Sequence, residues 1–208
     1  MTRFTFIRHA ESVANAGGIT QPHHAIPLSD RGRSQARELA ETIDIEPRTV
    51  LVSGFIRTAQ TAEPLCSRLG LLPNIEPLLN EFSVIDPALI DGMTGPQRKP
   101  FVKAYWDDPD PNRRLGEMAD TFAEFEARVV SFLARMSDLP DGTVIFGHGI
   151  WFGLLLWRLR GRTAGSVADM RAFRQFQLAL PMPNCATFSL VGNKSHWTAT
   201  ARTVSIGA

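Results

Sequence analysis

The chain has 208 residues, 44% hydrophobic and 21% charged, with a formal net charge of +1 from 22 basic and 21 acidic residues. That length can bury a substantial core and reads as one domain over 1–208. Nearly balanced charge supplies no global field to recruit nucleic acid or an anionic membrane, and no apolar run approaches the roughly 20 residues that span a bilayer.

Met1-Thr2-Arg3 leads directly into an apolar run, Phe4-Thr5-Phe6-Ile7, so a cytoplasmic protein is the expectation. The run predicts a first strand, which ends in Arg8-His9-Ala10-Glu11-Ser12. A long helix should begin near Ser29 or Asp30, with Ala36, Leu39, Ala40 and Ile43 on one face and Pro47 helping to end it. Val50-Leu51-Val52 reads as the next strand. The helix after Ser53 turns Ala59, Ala62, Cys66 and Leu69 inward, carries a disruptive Pro64 and stops at Gly70. From Phe82 to Met118 the periodicity dissolves among five prolines. This segment, 82–118, reads as a cap or specificity insertion holding one short helix around Gln97 to Trp106. Phe122, Phe125, Val129, Leu133 and Met136 then line a helix, and Thr143 to Phe146 is a strand followed by a helix near Ile150. Ala186 to Val191 and His196 to Thr203 read as edge strands joined through Gly192-Asn193-Lys194. Alternating strands and helices predict an α/β protein, a three-layer α/β/α arrangement around a mostly parallel sheet. Cys66 and Cys185, in helical and strand-like surroundings and outside any C-x-x-C pair, read as reduced core thiols.

Two strands in this reading end in a histidine, at Arg8-His9 and at Gly147-His148-Gly149, and a third is followed by Arg57. Ligands of open parallel sheets sit outside the carboxyl ends of the strands, and guanidinium forks match phosphate oxygens. The joint pattern therefore points to a phosphate site. Taken singly, each residue has a blander reading as a structural or solvated group.

These residues, with Leu28 to Ala36 and Leu79-Asn80-Glu81, resemble the histidine phosphatase superfamily, the phosphoglycerate-mutase-like proteins with an RHG motif. Ala10 stands where the family usually has glycine, a change to be tolerated unless that residue needs a positive φ. Met118 stands after Gly116-Glu117 where many relatives have serine. The resemblance implies His9 as nucleophile, Arg8 and Arg57 as phosphoryl clamps, His148 as a donor to developing charge and Glu81 as proton donor. His9, Glu81, Arg8, Arg57 and His148 are thus the expected catalytic set, with Arg8, Asn15, Arg57, His148 and Gly149 binding phosphate. The implied partner is a small phosphorylated substrate, with no cofactor, no metal, no nucleic acid and no membrane. Oligomeric state is open, a homodimer being the assembly considered. Glu11 is expected to favour a helix N-terminus. His23-His24 should approach the site in a loop but read better as surface residues, and His196 likewise. Trp151 and Trp157 read as packing, and Trp106 has a pocket floor as its alternative. Arg98, Lys99, Lys103, Arg113 and Arg114 read as a solvated face in preference to a second anion site.

Three rivals stand beside a phosphomonoesterase. A metal hydrolase could use His9, His148 and Glu81, but two adjacent arginines would repel the cation. A phosphate-binding module would need neither nucleophile nor acid. A phosphoglycerate mutase would return the phosphoryl group to substrate, and such mutases are generally longer.

Overall fold

The computed structural model describes residues 1–193 and 196–203, so Lys194 of the expected hairpin turn lies outside the described residues. Six strands form one sheet among them: β1 (Thr2–Arg8), β2 (Thr49–Val52), β3 (Asn74–Ile75), β4 (Thr143–Gly147), β5 (Thr187–Gly192) and β6 (Trp197–Arg202). Their order is β3-β2-β4-β1-β5-β6. The first four are parallel, and β5 and β6 close one edge as an antiparallel hairpin. No helix among the described residues is long and apolar enough to cross a membrane.

Alternation along the strands builds the two cores. Phe4 and Phe6 of β1, Leu51 of β2 and Ile145 of β4 face one layer, while Ile7, Val50, Val52, Val144 and Phe146 face the other. The second face is covered by α1 (Asp30–Thr42) and α2 (Ile56–Leu69) through Ala36, Leu39, Ala40, Ala62 and Leu65. The first is covered by α4 (Phe122–Arg135) and α5 (Gly149–Leu159), with α6 (Val167–Ala179) beside α5. Phe152 stacks on Phe6 with ring centroids 3.9 Å apart. The architecture is the three-layer α/β/α sandwich expected.

Local chemistry sets the helix ends. Ser29 caps α1, its Oγ accepting the Gly32 N–H at 3.0 Å, and Gly70 closes α2 at φ 65°. The first helix stops at Thr42, well before Pro47, so that proline is not its terminator. Leu65 in α2 and Phe132 in α4 are the buried residues where Leu69 and Leu133 were expected; the latter two are only partly buried. Cys66 and Cys185 are free and buried. Cys185, however, is not in a strand: it sits in a turn before β5 at φ 60°. Trp151 and Trp157 are core residues, as read. α6 lacked a clear apolar stripe in the sequence and was not anticipated.

Residues 82–118 hold a 3-10 turn at Pro87–Ile90 and α3 (Gly95–Asp107). Phe82, Ile85, Ile90, Tyr105 and Trp106 of this segment join the same apolar cluster as Phe122 and Phe125. Trp106 packs edge-on to Phe82 and Phe122 under the Arg174 guanidinium, away from both cavities that Glu81 lines. Arg98 departs from the solvated reading, since its Nη1 donates to the carbonyls of Gly18 and Met93 and to Thr20. Lys103 pairs with Asp107, Arg113 with Asp108 and Arg114 with Glu124 on the surface. His196 is exposed.

Gly32 of α1 is buried against the loop that follows His9, and a Cβ there would stand 1.9 Å from the Glu11 carbonyl oxygen. Gly32→Ala should therefore destabilise by about 1–3 kcal/mol, outweighing the roughly 1 kcal/mol helix-propensity gain of alanine. Urea unfolding checks this, and a variant as stable as the parent would show that α1 does not approach the loop so closely.

Candidate active site

β1 and β4 are direct parallel neighbours with Arg8 opposite Gly147. His9 and His148 consequently leave adjacent strands at the same level, and the His9 N–H donates to the Gly147 carbonyl at 2.9 Å. Their rings meet edge to face, centroids 5.2 Å apart. The second residue of α2, Arg57, reaches the same point from β2, the other neighbour of β4.

The loop after His9 is tied down by its backbone. The Ala10 N–H donates to Thr61 Oγ1 at 3.0 Å, and Thr61 donates in turn to the Arg57 carbonyl at 2.6 Å. Asn184 Nδ2 donates to the His9 carbonyl at 3.0 Å and to Asn15 Oδ1 at 3.2 Å. Ala10 itself is fully buried, and Cys185 is the one described non-glycine residue with positive φ, so the alanine departure leaves the backbone unstrained. Glu11 accepts from Ser29 Oγ at 2.7 Å, at the N-terminus of α1.

His9 Nδ1 lies 2.7 Å from the Ala10 carbonyl oxygen, which can only accept, so Nδ1 carries the ring proton. Nε2 is left with its lone pair and receives the Arg57 Nε–H at 3.2 Å. Burial, then the positive charges of Arg57 and Arg8, hold His9 well below the usual histidine range. It is neutral at pH 7.

Arg8, His9, Asn15, Arg57, Glu81 and Gly149 all line one cavity of about 300 Å³, with Ser12, Ala14, Ile26, Ile150, Gln177 and Met182 completing it. Arg8 donates from Nη1 to the Met182 carbonyl, while its Nε is buried without a partner. His148 is fully buried and packs against His9 and Phe55. Its Nε2 lies 2.8 Å from Ser53 Oγ, and its Nδ1 is buried with no partner. The buried Arg8 Nε–H is a donor that an anion would complete, and His148 Nδ1 is another in the tautomer where Ser53 Oγ donates to Nε2. Gly149 has helical backbone at the start of α5. Its lack of a side chain leaves room beside Arg8, whose Nε would stand 3.5 Å from a Cβ there.

Glu81 follows a 3-10 turn at Pro77–Leu79 and, unlike His9 and His148, does not leave the end of a strand. Its Oε2 accepts the Ile150 N–H at 3.0 Å, and its Oε1 accepts those of Trp151 at 2.9 Å and Phe82 at 3.0 Å. The carboxyl thus caps the N-terminus of α5 and also lines a second, larger cavity of about 720 Å³. Burial raises the Glu81 pKa above the ordinary value, against the pull of these N–H groups and of Arg57. The residue therefore keeps its proton to higher pH than an exposed glutamate does.

His23 is not the surface residue it was read to be. Its Nδ1 lies 2.6 Å from Ser83 Oγ, and its carbonyl accepts Arg57 Nη1 at 2.8 Å. Burial and the Arg57 charge lower its pKa to about 4. His24 beside it is exposed. Sequence reasoning also passed over Ser53, Thr61, Asn184 and Gln177. Ser53 and Thr61 flank Arg57 at helical spacing and could have been noticed, whereas Asn184 and Gln177 carry no local signal.

The family profile described as histidine phosphatase superfamily (branch 1) matches residues 4–202, and the chain belongs to that superfamily. A protein named "Probable phosphoglycerate mutase GpmB" from Photorhabdus laumondii is 30% identical over 176 residues, 82% of this chain and 80% of that protein. Among solved structures, the alpha-ribazole phosphatase from Shigella flexneri superposes with a TM-score of 0.74 at 25% identity, covering 99% of this chain and 98% of that one. A mycobacterial glucosyl-3-phosphoglycerate phosphatase gives 0.73 at 22% identity, covering 99% and 100%. The latter shares the fold.

His23, neutral when folded with a pKa of about 4 and ordinary at 6.5 when unfolded, adds stability that is complete above pH 6.5 and lost as pH falls toward 4, because the unfolded chain takes up the proton first. The whole effect amounts to up to about 3 kcal/mol. His9 and His148 act in the same direction. Urea midpoints should therefore fall between about pH 7.5 and about pH 5, and His23→Asn, which can keep a polar contact to Ser83, should flatten the fall. An unchanged slope would mean that His23 is solvated.

Proposed function

We infer that this chain hydrolyses phosphomonoesters of small metabolites through a phosphohistidine on His9, without a metal. The observation that carries this reading is the position of Glu81, which lines both the cavity holding His9, Arg8 and Arg57 and the larger chamber beside it. A phosphoryl group in the smaller cavity and its alcohol in the larger one would bring the ester oxygen to Glu81. A cation would be repelled by the two arginines beside His9.

In the first step His9 Nε2 attacks phosphorus, the P–O ester bond breaks, and the departing oxygen takes the Glu81 proton. A phosphoryl oxygen would first take over the Arg57 Nε–H now held on Nε2, freeing the lone pair for attack. Arg8 and Arg57 would stabilise the developing charge, and His148 would donate from Nδ1 if Ser53 Oγ donates to its Nε2. Water then attacks the phosphohistidine, gives its proton to the Glu81 carboxylate, and the P–N bond breaks to release phosphate. The relatives named as mutases keep a second reading in view, in which a substrate hydroxyl replaces that water. We read residues 1–208 as one domain in which 82–118 is the cap, since Ser83, Asp86, Pro87, Asp91 and Met118 supply much of the larger chamber's wall.

Hydrolysis should persist in excess chelator and vanish in His9→Ala, while Arg57→Ala and His148→Ala should each slow it by roughly two to three orders of magnitude. Chelator-sensitive activity restored by a divalent ion would overturn the mechanism. The pH profile of kcat/KM should be bell-shaped, because His9, lowered, must be neutral and Glu81, raised, must be protonated. Activity rising steadily into alkaline pH would remove Glu81 as acid. With Glu81→Gln and an aryl phosphate, whose leaving group needs little protonation, a burst of phenol equal to the enzyme should precede slow turnover. Uniform slowing without a burst would assign Glu81 another role.

A further inference from the structure

We propose that the chamber beyond Glu81 selects a leaving alcohol that bears no negative charge: a neutral or amine-bearing alcohol, as opposed to one carrying a carboxylate or a second phosphate. The proposal rests on the hydrolase reading for which end of the substrate occupies the chamber, and on the chamber's own side chains for its selectivity.

The ionisable groups on the wall besides Glu81 are Asp86, Asp91, Asp120 and Arg128, together with His23 and His24. Asp86 accepts the N–H groups of Met118 and Ala88, both at 2.9 Å, which hold its carboxyl below the usual range and keep it ionised. Asp91 is exposed at the end of the same short turn. Arg128, the one arginine or lysine among the described residues of the wall, has both Nη groups engaged: its Nη2 and Nη1 lie 2.8 Å and 3.2 Å from the two Asp120 oxygens, Nη2 also donates to the Glu81 carbonyl, and only the buried Nε is left without a partner. His23 is uncharged near neutrality, and Arg57 is turned toward His9 and the His23 carbonyl. Counting fixed charges, three aspartates face one arginine. An anionic leaving group would meet net negative potential with no free donor fork to receive it. Phe55, Pro22, Pro87 and Met118 supply apolar surface between these groups, which suits a carbon skeleton with hydroxyl or ammonium donors at its far end. A mutase, by contrast, must hold a substrate that is anionic on both sides of the ester.

Three aryl phosphates of similar leaving-group acidity test this: phenyl phosphate and its para-aminomethyl and para-carboxymethyl derivatives. Their binding to His9→Ala is measured by calorimetry at low salt, and their turnover with the unmodified chain. The carboxymethyl ester should bind at least about tenfold more weakly than the aminomethyl ester, with kcat/KM following the same order. Asp91→Lys should narrow that gap severalfold. Equal or tighter binding of the carboxymethyl ester, binding of none of the three, or a gap indifferent to Asp91→Lys and to salt would overturn the proposal. A binding preference for the amine with no turnover of any ester would uphold the selectivity and reject the hydrolase reading instead.

Discussion

The parallel register between β1 and β4 is the constraint on which the site depends. It sets Arg8 opposite Gly147, so that the two histidines emerge from adjacent strands with their rings in contact. A slip of one residue would turn Phe4 and Phe6 out of one core and Ile7 out of the other, because strand side chains alternate faces. The apolar alternation that folds the sheet is therefore also what aligns the polar ends. Close packing reinforces it: a Cβ on Gly147 would stand 2.7 Å from the Phe6 ring.

A second constraint acts through α5. Two of its first N–H groups, those of Ile150 and Trp151, which no helical carbonyl can satisfy, are taken by the Glu81 carboxyl. The helix start thus orients an acid on a different segment, about seventy residues earlier, and the two effects on that acid oppose each other. Burial favours the protonated form, whereas N–H donors favour the carboxylate. A group balanced in this way can hold a proton and accept one back, which is the demand that our reading makes of it.

The arginines show a similar economy. In this ligand-free arrangement Arg57 is tied to His9 Nε2 and the His23 carbonyl, and Arg8 to the Met182 carbonyl, so neither guanidinium is stranded in the protein interior. Burial nevertheless lowers the Arg57 pKa to about 10, a measure of how much desolvation the site bears to keep two cations beside a neutral histidine.

Much of this was legible in the sequence for a simple reason: period-two apolar runs and helix caps are local, and so is the placement of Arg8-His9, Arg57 and Gly147-His148 at or just beyond strand ends. Ser29 and Gly70 announced helix boundaries by their own side-chain chemistry. What was not legible arises between distant segments. That His23 turns inward onto Ser83, that Arg98 ties the Gly18 carbonyl to α3, and that Gln177 of an unanticipated helix reaches the cavity all follow from which surfaces meet. So does the balance of charge around the larger cavity beside Glu81, since the pairing of Arg128 with Asp120 joins a helix to the loop before it and no spacing rule predicts it. The sequence by itself determined five of the six described strands, their polar ends and the class of chemistry, because those reside in short stretches of chain; β3 (Asn74–Ile75), only two residues long, was not among them. Only the tertiary structure decided which nitrogen of His9 keeps its lone pair, which groups hold Glu81 and which charges remain unpaired around it, because hydrogen bonds and burial belong to pairs of segments and not to either one alone.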